Sequence, residues 1–311
     1  MRNVIGIDLG GTRIKYALVS EMGEIHYESE TDSKADESSK TVIAQIELAI
    51  DDVLQYARSK NLEVYGVGIG SPGIIDTVSG TVIGKTENFK DWENIPLSEI
   101  LKNKYPCPIY VDNDANVMGL AETTYGAGQH CRDVILLSIG IGIGGAITIN
   151  GQPYGGQYNR GAELGHFPLV ANGERCRCGS FGCFEQYASI TALIRRYGQR
   201  LAENKKPIPS SLDFALILQK YQEQEAEAIA AIHENCDFIG HAIAGYINIF
   251  SPEKIILAGD IAQADDFYIE QIKKAAQKYA IPDCAVNTSI EKGLLGDKAG
   301  CIGAAGLVFT A

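Results

Sequence analysis

Apolar runs dominated by Val, Ile and Tyr along the first thirty residues predict three consecutive strands, Val4 to Leu9, Arg13 to Ser20 and Glu24 to Glu30. Gly10-Gly11 and Glu21-Met22-Gly23 mark the turns between them. A helical period follows. Val42, Ile46, Ala49, Val53 and Tyr56 recur at helical spacing and predict a helix over Ser38 to Lys60. A strand over Val64 to Gly70 ends in Ser71-Pro72-Gly73, and a hairpin-like stretch follows at Val82 to Gly84. A short helix, Leu97 to Lys104, precedes a buried strand, Ile109 to Val111, that ends at Asp112-Asn113-Asp114.

Near residue 134 the opening pattern returns. Val134 to Ile139 is an apolar strand, Gly140 to Gly145 a glycine-rich turn, and Ala146 to Ile149 another strand. This faint repeat suggests two homologous lobes, each opening with a phosphate-facing hairpin. The rest is mostly helical: Ile190 to Glu203, Leu212 to Lys220, Glu223 to Phe250, Asp266 to Tyr279, and a small-residue helix from Gly300. A strand, Lys254 to Leu257, leads into Ala258-Gly259-Asp260.

With 311 residues the chain suits two domains. The expected division is an N-terminal lobe over 1–118, a C-terminal lobe over 119–296, and a last helix over 297–311 packing back on the first lobe. A net charge of −12 argues against a nucleic-acid or anionic-membrane partner. No apolar run reaches the roughly 20 residues of a membrane span, and the first residues do not resemble a secretory signal, so a cytoplasmic location is expected. In that setting the eight cysteines do not read as a disulfide framework. Five of them, Cys107, Cys131, Cys236, Cys284 and Cys301, are scattered and read as small buried apolar residues.

Asp8-Leu9-Gly10-Gly11-Thr12 follows a strand and opens a hairpin, unlike a P-loop or a dinucleotide fingerprint. Glycines let backbone N–H groups approach phosphate, Thr12 adds a hydroxyl, and Asp8 could hold Mg²⁺ through water. A plain glycine turn fits the same residues. The second glycine turn favours phosphate, since two facing hairpins could clamp the β- and γ-phosphates of a nucleotide. Asp112-Asn113-Asp114-Ala115-Asn116 sits at a strand end, where ligands gather in open α/β sheets, yet it also suits an ordinary helix N-cap. Together with Gly161-Ala162-Glu163-Leu164-Gly165-His166 it offers the carboxylates and amides that hydroxyl-rich ligands need. Cys176, Cys178 and Cys183 fall within eight residues around Gly179 and Gly182, with His166 ten residues upstream. This is the spacing of a closed, structural Cys3His zinc site, as against a redox pair or unrelated thiols. Such a site would not activate water; it would order the loop bearing Glu163 and Glu185.

These motifs, together with Gly70-x-Pro72-Gly73 and Asn88-Phe89-x-x-Trp92, resemble the ROK family of sugar kinases and sugar-responsive repressors over about residues 3–308. The resemblance implies an α/β, two-lobed, actin-like fold of the hexokinase and ribonuclease H-like type, with a cleft between lobes. It implies Asp114 as the general base on a sugar 6-hydroxyl. Gly73, Asn88, Asn113, Glu163, His166 and Glu185 would surround the sugar, and His166, Cys176, Cys178 and Cys183 would hold Zn²⁺. ATP with Mg²⁺ would meet Asp8, Gly10, Gly11, Thr12, Lys15, Gly140, Gly142 and Gly259, and a homodimer is the expected assembly. Two positions depart from the family pattern. Ile141 replaces a threonine between the glycines of the second turn, and Asp260 replaces a second glycine after Gly259.

The expected function is therefore an ATP-dependent hexokinase acting on glucose, because Glu163, His166 and Glu185 could read hydroxyls at carbons 1 to 3. N-acetylglucosamine or N-acetylmannosamine kinases are alternatives, as is a catalytically weak sugar-binding regulator. A repressor of this family would carry a helix-turn-helix of roughly 70 residues ahead of the first strand. Here the phosphate motif starts at residue 8.

Overall fold

The computed structural model describes residues 2–311 apart from Lys85 and Glu87. The chain resolves into two compact units. One comprises Met1–Arg132, Ala146–Ala162 and Leu294–Ala311; the other comprises Asp133–Gly145 and Glu163–Gly293.

In the first unit β1 (Asn3–Leu9), β2 (Arg13–Ser20) and β3 (Ile25–Asp32) form an antiparallel meander. After α1 (Ser39–Ser59), β4 (Val64–Ser71) joins β1 in parallel. A two-stranded ribbon, β5 (Ile75–Asp76) with β6 (Thr81–Val82), and a short helix, α2 (Leu97–Lys102), lead to β7 (Ile109–Asn113), parallel to β4. The sheet order is β3-β2-β1-β4-β7. α3 (Asp114–Tyr125) follows β7 directly, and α10 (Ala299–Phe309) closes the unit.

Strand alternation sorts the sheet's two faces. Ile5, Ile7 and Leu9 join Val42, Ile46, Ile50 and Val53 of α1 in one core. Val4, Ala17 and Val19 join Ala121 of α3 with Ile302 and Ala305 of α10 in the other. On this second face backbone meets backbone. A Cβ on Gly68 would lie 1.7 Å from the Ala304 carbonyl oxygen, and one on Gly6 would lie 1.9 Å from that of Cys301. Likewise a Cβ on Gly303 would lie 1.7 Å from the Val117 carbonyl oxygen.

The remaining elements are β8 (Val134–Ile139), β9 (Ile143–Ile149), β10 (Gln152–Pro153), α4 (Glu185–Ala188), α5 (Ile190–Glu203), α6 (Phe214–Gln222), α7 (Ala226–Phe250), β11 (Lys254–Ala258), α8 (Asp266–Tyr279), α9 (Pro282–Ala285) and β12 (Ser289–Lys292). The second sheet has the order β10-β9-β8-β11-β12, with β8, β11 and β12 mutually parallel. Counted among the strands of each sheet in chain order, both read third, second, first, fourth, fifth, so the repeat extends from the glycine turns to the whole sheet topology. α7 is the central helix of the second unit; its Asn235 is fully buried and satisfied by the Tyr268 hydroxyl and the Ala188 carbonyl.

Several expectations are corrected. The break expected at 118/119 falls inside α3, a helix the periodicity did not reveal, and residues 146–162 belong with the first unit. β3 runs on to Asp32, and β9 begins at Ile143, inside the stretch read as a turn. α6 and α7 each start two or three residues late, at Phe214 and Ala226. Of the scattered cysteines only Cys236 and Cys301 are buried; Cys107, Cys131 and Cys284 are half-buried. No helix among the described residues is long and apolar enough to cross a membrane.

The glycine-mediated contact makes a prediction about stability. Gly68→Ala should cost about 3 kcal/mol, because no rotamer relieves a clash between Cβ and backbone. Gly245→Ala in α7, where a Cβ meets nothing within 4 Å, should instead stabilise by about 0.5–1 kcal/mol. Thermal unfolding of the two variants checks the opposite signs.

Candidate active site

In the first unit, Asp8 ends the strand face that α10 covers, with Lys15 directly opposite it on β2. A Cβ on Gly300, in the first turn of α10, would lie 2.3 Å from Asp8 Oδ2, so the carboxylate rests against the helix start. Burial, reinforced by the charge of Asp114 and opposed by Lys15, raises the Asp8 pKa to about 6. The Lys15 ammonium also pairs with Asp297 at 3.4 Å.

The turn after β1 is held from one side. The Ser33 hydroxyl donates to the Gly11 carbonyl (2.9 Å), the Ser33 amide donates to the Thr12 carbonyl (3.0 Å), and the Gly10 amide donates to the Arg13 carbonyl (3.0 Å). Among the described residues nothing accepts from the amides of Gly11 and Thr12, and both residues are exposed. Asn88 lies beside this turn: a Cβ on Gly11 would sit 3.3 Å from its own.

Asn113 is the N-cap of α3. Its Oδ1 accepts from the amides of Ala115 (2.9 Å) and Asn116 (3.3 Å), and its Nδ2 donates to the Gly73 carbonyl (3.1 Å). The ordinary N-cap reading of this motif is thus realised at Asn113, and Gly73 (φ +98°) takes the backbone shape that presents its carbonyl. Asp114 is the first residue of the helix, where its carboxylate accepts from the Ala115 amide at 2.9 Å. Burial raises its pKa, against that hydrogen bond.

The strand-end motif by itself assigns Asp112 no separate role. Its Oδ1 accepts from the Asn113 amide (2.6 Å), Asn116 Nδ2 (3.0 Å) and Asn159 Nδ2 (3.1 Å), fixing the β7–α3 junction from below. Asn159 carries no motif, so only the fold links it to Asp112.

In the second unit, the β8–β9 turn closes with the Gly140 amide donating to the Gly142 carbonyl at 3.0 Å. A Cβ on Gly142 would lie 2.6 Å from Glu185 Oε2, the oxygen that accepts from the Ile143 amide at 2.9 Å. Ile141 is 75% exposed. Gly259 (φ +74°) backs onto Ile139, and the Asp260 carboxylate lies against Gly140. Glu163 is exposed and accepts the His166 amide on its carbonyl at 3.0 Å. The 3₁₀ turn Leu164–His166 is anchored by the buried Tyr246 hydroxyl, which donates to the Leu164 carbonyl at 2.6 Å.

The donor atoms of His166, Cys176, Cys178 and Cys183 all lie within 4.8 Å of one another. Cys178 and Cys183 sulfurs are 3.6 Å apart, and Cys176 sulfur is 3.7 Å from His166 Nδ1. A tetrahedral zinc with ordinary bond lengths needs edges of roughly 3.5–3.8 Å, which these two separations match, and the donor set suits the ion in chemistry. A disulfide would need about 2.05 Å. Burial raises the Cys176 pKa and, with the neighbouring thiols, pushes that of Cys183 up to about 12, so three thiolates here call for a cation. Gly179 and Gly182 (φ +95° and +73°) turn the chain around the cluster.

Two five-stranded sheets of one topology, each opening on a glycine hairpin, define an actin-like ATPase fold. It is similar to the crystal structure of a ROK family glucokinase from Streptomyces griseus in complex with glucose and AMPPNP, with a TM-score of 0.86 and 29% identity over 99% of this chain and 100% of that one. The chain belongs to the ROK family, whose model matches residues 4–311. A glucokinase of Thermotoga maritima is 33% identical over 98% of this chain and 96% of that protein. A xylose repressor of Caldicellulosiruptor bescii is 30% identical over 99% of this chain and 78% of that protein.

The raised Asp8 pKa has a signed consequence for the protein without nucleotide. Its folded value of about 6 exceeds an unfolded value near 3.9. The folded state therefore binds the extra proton between those values, and stability is lost as pH rises through about 6. Asp8→Asn should be more stable than wild type at pH 7, by on the order of 2 kcal/mol, with the gap closing toward pH 4. Thermal unfolding from pH 4 to 7.5 checks this.

Proposed function

We propose that this protein is an ATP-dependent hexokinase that transfers the γ-phosphate of ATP to the 6-hydroxyl of glucose. The observation that carries the reading is the Asp114 carboxylate, held at a strand-to-helix junction by the Asn113 cap and raised in pKa by burial. A carboxylate in that state is a stronger base than a solvated one.

In the proposed reaction Asp114 takes the 6-hydroxyl proton, the freed oxygen attacks the γ-phosphorus, and ADP departs. Little else is asked of the protein than positioning and charge stabilisation. The amides of Gly11 and Thr12 and the β8–β9 turn would face phosphate oxygens, with Gly259 near the base. Mg²⁺, near Asp8, would supply the charge that neutralises the phosphates. Asn88, Asn113, Glu163, His166 and Glu185 would bind sugar hydroxyls, with Gly73 setting the Asn113 amide. Glucose is favoured as substrate by the glucokinase relatives. His166, Cys176, Cys178 and Cys183 would hold Zn²⁺ with Nδ1 inward, which leaves His166 Nε2 for a hydroxyl.

ADP release across glucose, mannose, N-acetylglucosamine and N-acetylmannosamine tests the substrate, with Asp114→Asn as the control. Turnover on glucose should exceed the rest, and Asp114→Asn should lose about 10²–10⁴-fold in kcat while keeping sugar affinity. Near-normal turnover in the variant would defeat the base assignment. Saturable sugar binding without ADP release in wild type would favour the regulator, a reading kept open by the xylose repressor relatives.

The zinc assignment has its own test. Protein prepared without added metal should contain about one zinc per chain. Cys178→Ser should lose it, raise KM for sugar, and increase proteolysis between Glu163 and Glu185, with KM for ATP less affected. Metal-free wild-type protein of full activity would end the idea.

A further inference from the structure

The β8–β9 turn and the segment after the cysteine cluster are joined by three hydrogen bonds, all made by residues 185–191. Glu185 Oε2 accepts from the Ile143 amide at 2.9 Å. The Ile190 amide donates to the Gly140 carbonyl at 2.9 Å. The Thr191 hydroxyl donates to the Ile141 carbonyl at 2.7 Å. Every residue from Gly140 to Ile143 is thereby fixed, because the Gly142 carbonyl already accepts from the Gly140 amide. The segment itself is stiff. Ser189 caps α5 by accepting from the Ala192 amide at 3.1 Å, and the Cys183 carbonyl accepts from the Gln186 amide at 3.0 Å.

We infer that Thr191 is a positioning residue for the phosphoryl donor, and that it acts with Glu185 to hold the β8–β9 turn in the shape that receives phosphate. This rests on the kinase reading for what the turn binds, but the clamp itself is a property of the fold. The chemistry explains why it is needed. Ile141 brings no hydroxyl to the turn and its side chain is 75% exposed, so the turn takes no support from packing at its tip. Its backbone donors can face an anion only if its carbonyls are turned away, and the carbonyls of Gly140 and Ile141 are drawn toward α5. Thr191 is half of that restraint and the only part supplied by a side chain that the sugar does not need. Glu185 is the other side-chain restraint. Its second oxygen remains available to a sugar hydroxyl, so one carboxylate would touch both the sugar and the donor turn.

Thr191→Val removes the hydroxyl and keeps the branched shape; Thr191→Ser keeps the hydroxyl. One lost neutral hydrogen bond is worth about three- to tenfold. Thr191→Val should therefore raise KM for ATP by that factor and leave KM for glucose within about twofold, and Thr191→Ser should restore the ATP value. Amide exchange across residues 140–143 should quicken in Thr191→Val and return in Thr191→Ser. With an active wild type, an unchanged KM for ATP in Thr191→Val, or equal loss in both variants, would overturn the inference. If wild type transfers no phosphate to any sugar, the kinase reading fails separately, and amide exchange decides. Faster exchange rescued by serine supports the clamp, and unchanged exchange overturns it.

Discussion

The first unit is organised around a contact in which there is no room for a methyl group. α10 lies so close to β1 and β4 that its own carbonyls occupy the space above Gly6 and Gly68, and α3 presses its Val117 carbonyl onto Gly303. Such packing gains little from apolar area, since the residues are small. It gains from dense dispersion contacts and from excluding any alternative register, because a shift by one residue would bring a side chain where only hydrogen fits. Asp8 and Asp114 both depend on it. Asp8 is carried on the strand face that α10 covers, and Asp114 starts the helix that α10 braces.

The two sheets share one strand order, yet their glycine turns are restrained by different means. In the first unit a single residue, Ser33, takes two carbonyls of the turn with its amide and hydroxyl. In the second, two carbonyls are taken by the Ile190 amide and the Thr191 hydroxyl, and the Glu185 carboxylate of the same segment accepts from the Ile143 amide. Both solutions obey the same constraint: amides are presented outward only when neighbouring carbonyls are paid for elsewhere. The difference has a consequence. The first turn is held by its own sheet edge, whereas the second is held by the segment that continues from the cysteine cluster.

How far the sequence revealed these arrangements depended on whether the cause was local. The Val, Ile and Tyr of Val4 to Leu9 and Arg13 to Ser20, and the helical spacing from Val42 to Val53, led to β1, β2 and α1 with ends correct to a residue. α3 escaped because Ala115, Val117, Gly119 and Ala121 are buried at alternate positions, a two-sided burial that leaves no single apolar stripe. β9 was shortened because Gly144 and Gly145 read as turn, although both lie in the strand. The cysteine cluster was legible because all its ligands fall between residues 166 and 183. Asn159 to Asp112, and Glu185 to Ile143, span 47 and 42 residues with no motif to announce them, and only the fold could bring them together.

The electrostatics of the first unit explain why a stable fold would keep a costly arrangement. Asp8 and Asp114 repel each other in a region where burial already disfavours charge, and Lys15 offsets only part of this. Without a ligand the two acids are therefore a destabilising pair. Nothing in packing requires acids there, since asparagine would fill the same volume at lower cost. The arrangement makes physical sense if the missing stabilisation arrives with a ligand: a cation near Asp8 lowers its pKa and relieves the repulsion, and a hydroxyl donating to Asp114 compensates its burial. Under the proposed chemistry the strain is then relieved only when donor and sugar are both bound, in the complex in which transfer occurs.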